Sequence, residues 1–236
     1  MGLEFKMRVL NIFPLSIFCN KINLTDKKKK QMIDEIRKMK ENSKLEDYKK
    51  KGDAWTGDTQ GFENLQKNKI FDEFFSEVKK NVYQYLDQLK IDTNQLDVFI
   101  QRSWATISYG NETIAKHKHM QSHISFAYYL KKNSNDANLM IYDEVIRNEV
   151  IPGLFGSLTA FKRKVLKELN VLNASQYTIN VKEDDIIIFP SKTLHATQPT
   201  NTNDERISIS ADIVCIAKSS EVLEHLTPPF ENWQKM

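Results

Sequence analysis

Trp104-Ala105-Thr106-Ile107-Ser108-Tyr109 and, a hundred residues on, Arg206-Ile207-Ser208-Ile209-Ser210 decide the fold class. Both are β-branched or aromatic runs in which polar and apolar side chains alternate. Successive side chains on a strand point to opposite faces, so Arg206, Ser208 and Ser210 share one face and Ile207 and Ile209 the other. The same character recurs at Val98-Phe99-Ile100 and over 124–130, 139–142, 177–181, 186–189 and 194–197, each run bounded by turn residues. A helix is expected to interrupt the series over 157–169.

The N-terminal part is different. Residues 7–22 predict one or two short strands, interrupted at Pro14 and Asn20. Asn23-Leu24-Thr25-Asp26 supplies a cap, and 27–40 carries Met32, Ile33, Ile36 and Met39 at helical spacing. The lysine run 27–30 fits the first turn of this amphipathic helix better than a nucleic-acid contact, because Asp34 and Glu35 follow it. Residues 42–63, with Gly52, Gly57 and Gly61, predict a loop containing Trp55. Residues 65–89 predict a helix broken near Asn68, whose aromatic stripe belongs to the core. Helices first and strands after give an α+β class with a β-sandwich or jelly-roll half. We expect a single domain over 1–236, with helical support at 24–92 and a jelly-roll core at 97–216.

Composition narrows the function. Lys and Arg number 34 against 31 Asp and Glu, a net charge of +3, too small to predict binding to nucleic acid or a membrane surface. No apolar run approaches a membrane span, and the short apolar stretch 9–19 follows Glu4 and lacks a cleavage site, so no secretion signal is expected. The two cysteines, Cys19 and Cys215, form no disulfide framework or metal pair, which makes a reducing cytoplasmic location the expectation.

Three of the five histidines, His117, His119 and His123, fall within seven positions. His117-Lys118-His119 places two imidazoles on one strand face, able to chelate a first-row divalent metal. His195 opens a distant strand that a jelly roll can bring alongside. His123 is a candidate behind the ligands or on the substrate side, and His225, in a polar C-terminal helix, is structural. An interior guanidinium at Arg206 is costly unless it forks onto a carboxylate, with a serine hydroxyl assisting. Its alternative is an internal pair with Asp212 or Glu205.

His117-Lys118-His119, Ile124-Ser125-Phe126-Ala127-Tyr128-Tyr129-Leu130, Asp185-Ile186-Ile187-Ile188-Phe189-Pro190-Ser191, Leu194-His195 and Arg206-Ile207-Ser208-Ile209-Ser210 together resemble the phage and bacterial 2-oxoglutarate/Fe(II) oxygenases. Asn11-Ile12-Phe13-Pro14-Leu15 and Asp58-Thr59-Gln60-Gly61 are similar to that family too. The resemblance covers most of the chain and is densest between Ser103 and Asp212. It implies a double-stranded β-helix binding Fe(II) through His117, His119 and His195. It also implies that Arg206 holds the distal carboxylate of 2-oxoglutarate, with Ser208 and Tyr128 as helpers.

The wider superfamily has a carboxylate where this chain has His119. Three neutral imidazoles leave a ferrous site at +2 rather than +1, so an incoming dianion would neutralise it. Gln121, His123 or water are the alternatives at that position. Trp104, Ser108 and Tyr129 are candidates for lining the pocket, and loops 133–138 and 147–156 for gating it. The implied reaction consumes dioxygen, releases succinate and carbon dioxide, and hydroxylates a C–H bond of a small-molecule or peptide substrate in preference to halogenating it. Oligomeric state is not encoded legibly. Two other readings fit the residues: a three-histidine cupin-like metalloenzyme without 2-oxoglutarate, and a non-catalytic jelly-roll binding module. The first has no use for a buried arginine at 206.

Overall fold

The computed structural model describes residues 9–43, 52–133, 137–200, 202–221 and 223–236. The sequence expectations that fall on 7–8, on 44–51 of the predicted loop and on 134–136 of the predicted gating loop lie outside the described residues.

Helix α1 spans Asp26–Glu41. Thr25 precedes it in extended backbone and its hydroxyl accepts a hydrogen bond from the Lys28 N–H, while Asp26 in the first turn and Lys38 and Lys40 in the last suit the helix dipole. It buries Met32 and Ile36. Its lysine run is structural: Lys29 bridges to Glu183 and, at 3.0 Å, to Asp184. Helix α2, Asp72–Gln88, follows two short 3-10 turns at Leu65–Lys67 and Lys69–Phe71. The expected break is at Asn68, whose side chain accepts from the Ile70 N–H and so restarts the helix.

The strands are β1 (Phe18–Lys21), β2 (Trp55–Thr56), β3 (Leu96–Ser108), β4 (Ile124–Lys131), β5 (Leu139–Tyr142), β6 (Gln176–Ile179), β7 (Asp185–Pro190), β8 (Leu194–Thr197) and β9 (Arg206–Ala217). They form a six-stranded sheet in the order β1-β7-β4-β9-β3-β2 and a three-stranded sheet in the order β6-β5-β8, antiparallel throughout. The two runs read from the sequence around residue 101 are one strand: the polar residues between them are a register shift at Ile100/Arg102.

One face of the large sheet, with Ala105, Ile107, Phe126, Tyr128, Ile186, Ile188, Ile207 and Ile209, packs on α1 and α2. Its other face shares a smaller apolar cluster, Tyr129, Ile187 and Phe189, with Leu139 and Ile141 of the small sheet. The rest of the space on that side is the candidate site.

Two expected helices are cut down. The one at 157–169 is only α3, Leu158–Lys162, because Lys164 turns left-handed at φ 58° and Leu158, Val165 and Leu169 face solvent, leaving nothing to pack against. His225 is exposed in a turn rather than in a helix. Both cysteines are free, Cys19 exposed and Cys215 half-buried.

Glu205 ties the layers together. Its carboxylate accepts from Arg37 of α1, from Lys131 at the end of β4 (2.9 Å) and from the Tyr109 hydroxyl (2.8 Å). Burial alone would raise its pKa, but these donors win and hold it down at about 2. A folded pKa below the unfolded value of about 4.3 gives stability that is present above pH 4.3 and lost as pH falls toward 2. Glu205→Gln should therefore destabilise the protein by about 1–3 kcal/mol at neutral pH. In urea unfolding, the gap to the unaltered protein should close between about pH 4 and pH 2; a gap that stays constant with pH would contradict the assignment.

Candidate active site

Backbone pairing builds the site. The N–H of His117 donates to the carbonyl of His195 and the N–H of His195 to that of His117, each at 2.9 Å; two residues on, the His119 N–H donates to the Ser191 carbonyl at 2.9 Å. Segment 117–119 thus runs beside β8 as an isolated bridge, and the parity of two puts both its imidazoles on the face that carries His195. The ring centroids are 4.3 Å (His117–His195), 5.0 Å (His117–His119) and 5.5 Å (His119–His195) apart.

Each ring is held in one tautomer by an acceptor that can take only a proton donor. Nδ1 of His117 faces the Ala115 carbonyl (2.8 Å), Nδ1 of His195 faces the Thr193 carbonyl (2.8 Å), and Nδ1 of His119 faces Asp212 Oδ1 (2.5 Å). All three Nδ1 atoms therefore donate, leaving three Nε2 lone pairs. The three ligand atoms lie within 4.8 Å of one another, and the Nε2 atoms of His117 and His119 are 3.1 Å apart. Two lone pairs at that distance repel unless a cation sits between them. Imidazoles bound cis on a metal at about 2.1 Å would have nitrogens about 3 Å apart, so the donor set fits a divalent transition metal. Burial, with the neighbouring histidines adding to it, lowers His195 to about 4 and also lowers His117, so both are neutral at physiological pH, the form that can ligate a metal.

The residue that sequence reading missed is Asp212. Its carboxylate, fully buried on β9, accepts from His119 Nδ1, Arg102 Nε (2.6 Å), Gln121 Nε2 (2.9 Å) and the hydroxyls of Ser122 (3.1 Å) and Ser125 (3.3 Å). Burial would raise its pKa, but the His119 and Arg102 contacts outweigh that and bring it to about 2. The negative charge absent from the ligand set therefore stands directly behind His119. Trp104 stacks on the His119 ring at 5.7 Å and 18°, fixing its plane.

The cavity has a volume of about 320 Å³. At one end, β9 sets Arg206 opposite Ser108 and Ser208 opposite Thr106 of β3. Arg206 is buried; its Nε donates to Ser108 Oγ (3.1 Å) and its Nη1 to the Ala137 carbonyl (2.8 Å). Neither expected internal partner is committed to it in this way, since Asp212 serves His119 and Arg102, and Glu205 serves Arg37, Lys131 and Tyr109. Arg206, Ser208, Trp104 and Tyr129 all line the cavity.

Tyr128 is a correction. Strand parity turns it to the helix side of the sheet, where its hydroxyl donates to Asp184 Oδ1 (3.0 Å); Tyr129, its neighbour, faces the cavity and Arg206. His123 is a correction too: it is exposed, and its Nδ1 accepts the Cys215 N–H (3.0 Å), closing the end of β9. Gln121 reaches Asp212 while His119 keeps its place among the histidines.

Residues 102–212 match the family described as "Putative 2OG-Fe(II) oxygenase". Over that stretch, just under half of the chain, the protein is similar to a 2OG-Fe(II) oxygenase domain. Solved structures of similar fold agree with it. A Pseudomonas putida prolyl-4-hydroxylase shares 9% identity over 85% of this chain and 92% of its own, at a TM-score of 0.52. The non-heme alpha-ketoglutarate-dependent epimerase SnoN from nogalamycin biosynthesis shares 8% over 94% and 88%, at 0.55. HygX from Streptomyces hygroscopicus, determined with nickel and 2-oxoglutarate bound, shares 9% over 85% and 83%, at 0.50. At these identities the likeness is one of fold, the double-stranded β-helix. No curated protein matches the sequence. No helix among the described residues is long and apolar enough to cross a membrane.

The oxygenase's Asp212 yields a test. Removing a carboxylate behind a ligating histidine typically costs about 10- to 100-fold in metal affinity. Asp212→Asn should show that loss in calorimetric titration with Mn(II), while His123→Ala should bind as the unaltered protein does. Equal affinity in Asp212→Asn would remove the role.

Proposed function

We propose that this oxygenase hydroxylates an unactivated C–H bond of a small-molecule or peptide substrate, with His117, His119 and His195 holding Fe(II) and Arg206 and Ser208 holding 2-oxoglutarate. The observation that carries the reading is the convergence of three Nε2 lone pairs at one point in a cavity whose far end is a buried guanidinium. When bound, iron and 2-oxoglutarate supply the oxidative chemistry, consuming dioxygen and yielding succinate and carbon dioxide.

The chain's own contribution is placement. Asp212, Ala115 and Thr193 keep the three imidazoles in the tautomer that presents Nε2. Arg206, oriented by Ser108 and Ala137, places a buried guanidinium in the cavity wall where a carboxylate can meet it. Ser208, two residues along the same face, offers a hydroxyl to the same group. Burial, partly offset by the Arg206 charge, pushes the Tyr129 hydroxyl up to about 12, so it serves there as a neutral hydrogen-bonding group. Phe189, packed edge-on against His195 at 4.9 Å, shields the ligands from water. The whole chain acts as one unit in this reading, since a single apolar cluster joins α1 and α2 to the large sheet.

Adding Fe(II) and 2-oxoglutarate without oxygen should produce a visible charge-transfer band, and turnover should release one succinate per 2-oxoglutarate consumed. His195→Ala should abolish metal binding. Arg206→Ala should leave metal binding intact and raise the KM for 2-oxoglutarate at least about tenfold, the scale of a lost charge-assisted pair. Unchanged cosubstrate affinity in Arg206→Ala would refute its role.

A further inference from the structure

One carboxylate in the cavity lacks a donor. Asp58 lies on the 3-10 turn Gly57–Gln60 that follows the edge strand β2. It lines the same cavity as the three histidines and Arg206. Its Oδ1 is shut off from solvent and has no hydrogen-bond partner. Its Oδ2 stands 3.7 Å from Arg102 Nη1, beyond hydrogen-bond distance, and Arg102 already gives its Nε to Asp212 at 2.6 Å. A buried carboxylate oxygen without a donor is costly, and native structures seldom keep one.

The turn is built to hold the carboxylate there. Gly57 is buried so closely that an added Cβ would meet the Phe62 carbonyl at 3.1 Å and the Ala105 carbonyl at 3.5 Å, which presses the turn onto β3. Thr59 fastens it by donating to the Thr56 carbonyl at 3.1 Å. Asp58 also stands apart from Arg206 along the cavity wall. Arg206 is level with Ser108, whereas Asp58 follows Thr56, which is level with Thr106, and its carboxylate turns toward Arg102 farther back along β3. The neighbouring cation, Lys118, is taken by Glu144 at 3.0 Å.

We propose that Asp58 is the substrate-recognition residue of this oxygenase and that the substrate presents a protonated amine or guanidinium group to its carboxylate. This rests on the oxygenase reading above. Arg206 anchors the cosubstrate at one end, the histidines hold the metal, and Asp58 fixes a cationic substrate from the third side. A cation there completes the hydrogen bonding of the under-satisfied carboxylate and places a neighbouring C–H bond toward the histidines.

A probe pair isolates the charge: n-butylguanidinium and its neutral isostere n-butylurea, with butyrate as the anionic control. The full-length chain, loaded anaerobically with Fe(II) and 2-oxoglutarate, is titrated with each while the charge-transfer band is followed. The expected result is a response to butylguanidinium at a concentration at least about tenfold lower than to butylurea or butyrate, the difference a charge-assisted hydrogen bond makes. Asp58→Asn should form the same band and lose the preference. Asp58→Glu should keep the preference at weaker affinity, which maintains the test if Asp58→Asn folds poorly. Equal response to all three probes, a preference that survives in Asp58→Asn, or a folded Asp58→Asn that no longer forms the band would each overturn the proposal. Absence of the band in the unaltered protein would instead count against the oxygenase reading itself.

Discussion

A fully buried carboxylate, Asp212, is the constraint on which the site depends. Its five donors come from three separate stretches: β3 through Arg102, the segment 119–122 through His119, Gln121 and Ser122, and β4 through Ser125. A buried anion left short of donors is expensive, so these contacts form together or not at all. The bond that orients one metal ligand thus also welds the irregular segment 117–123 to the sheet. Metal-site geometry and fold stability are consequently one problem in this protein.

Asp212 also bears on the missing carboxylate ligand. With His119 in that place, the three converging donors include no carboxylate, but a negative charge stands only one imidazole away. Arg102 partly compensates it, and Trp104 stacks on the ring that transmits it. The site keeps an anionic character toward the metal while exposing only nitrogen donors.

Much of this was legible in the sequence because period-two alternation is a strong signal. It placed Arg206 and Ser208 on the cavity face, Ile207 and Ile209 on the core face, and His117 with His119 on one side. The Asn68 break and the Thr25 cap were visible because each is local side-chain chemistry. Tyr128 and Tyr129 show where the signal fails. Two adjacent tyrosines both suit a strand, and only register against β7 and β9 decides which faces the cavity. Asp212 was read only as one alternative partner for Arg206, beside Glu205; its contact with a histidine 93 positions earlier is a tertiary fact. Asp58 was visible only as part of a resembling motif, since an orphaned oxygen has no signature in sequence. The helix at 157–169 failed because its apolar stripe finds no surface to cover.

The regular part of the ladder between β3 and β9 has one more consequence. From Ser108/Arg206 to Arg102/Asp212 every residue of one strand faces a residue of the other. The Arg206 guanidinium and the Asp212 carboxylate behind His119 are therefore notches on one rigid gauge, whose length is set by backbone pairing. Insertions or substitutions in the surface segments around the mouth can change what reaches the reacting centre, but they cannot recalibrate that gauge. In the proposed reading, the length of oxoacid the protein accepts is thereby insulated from changes in its choice of substrate.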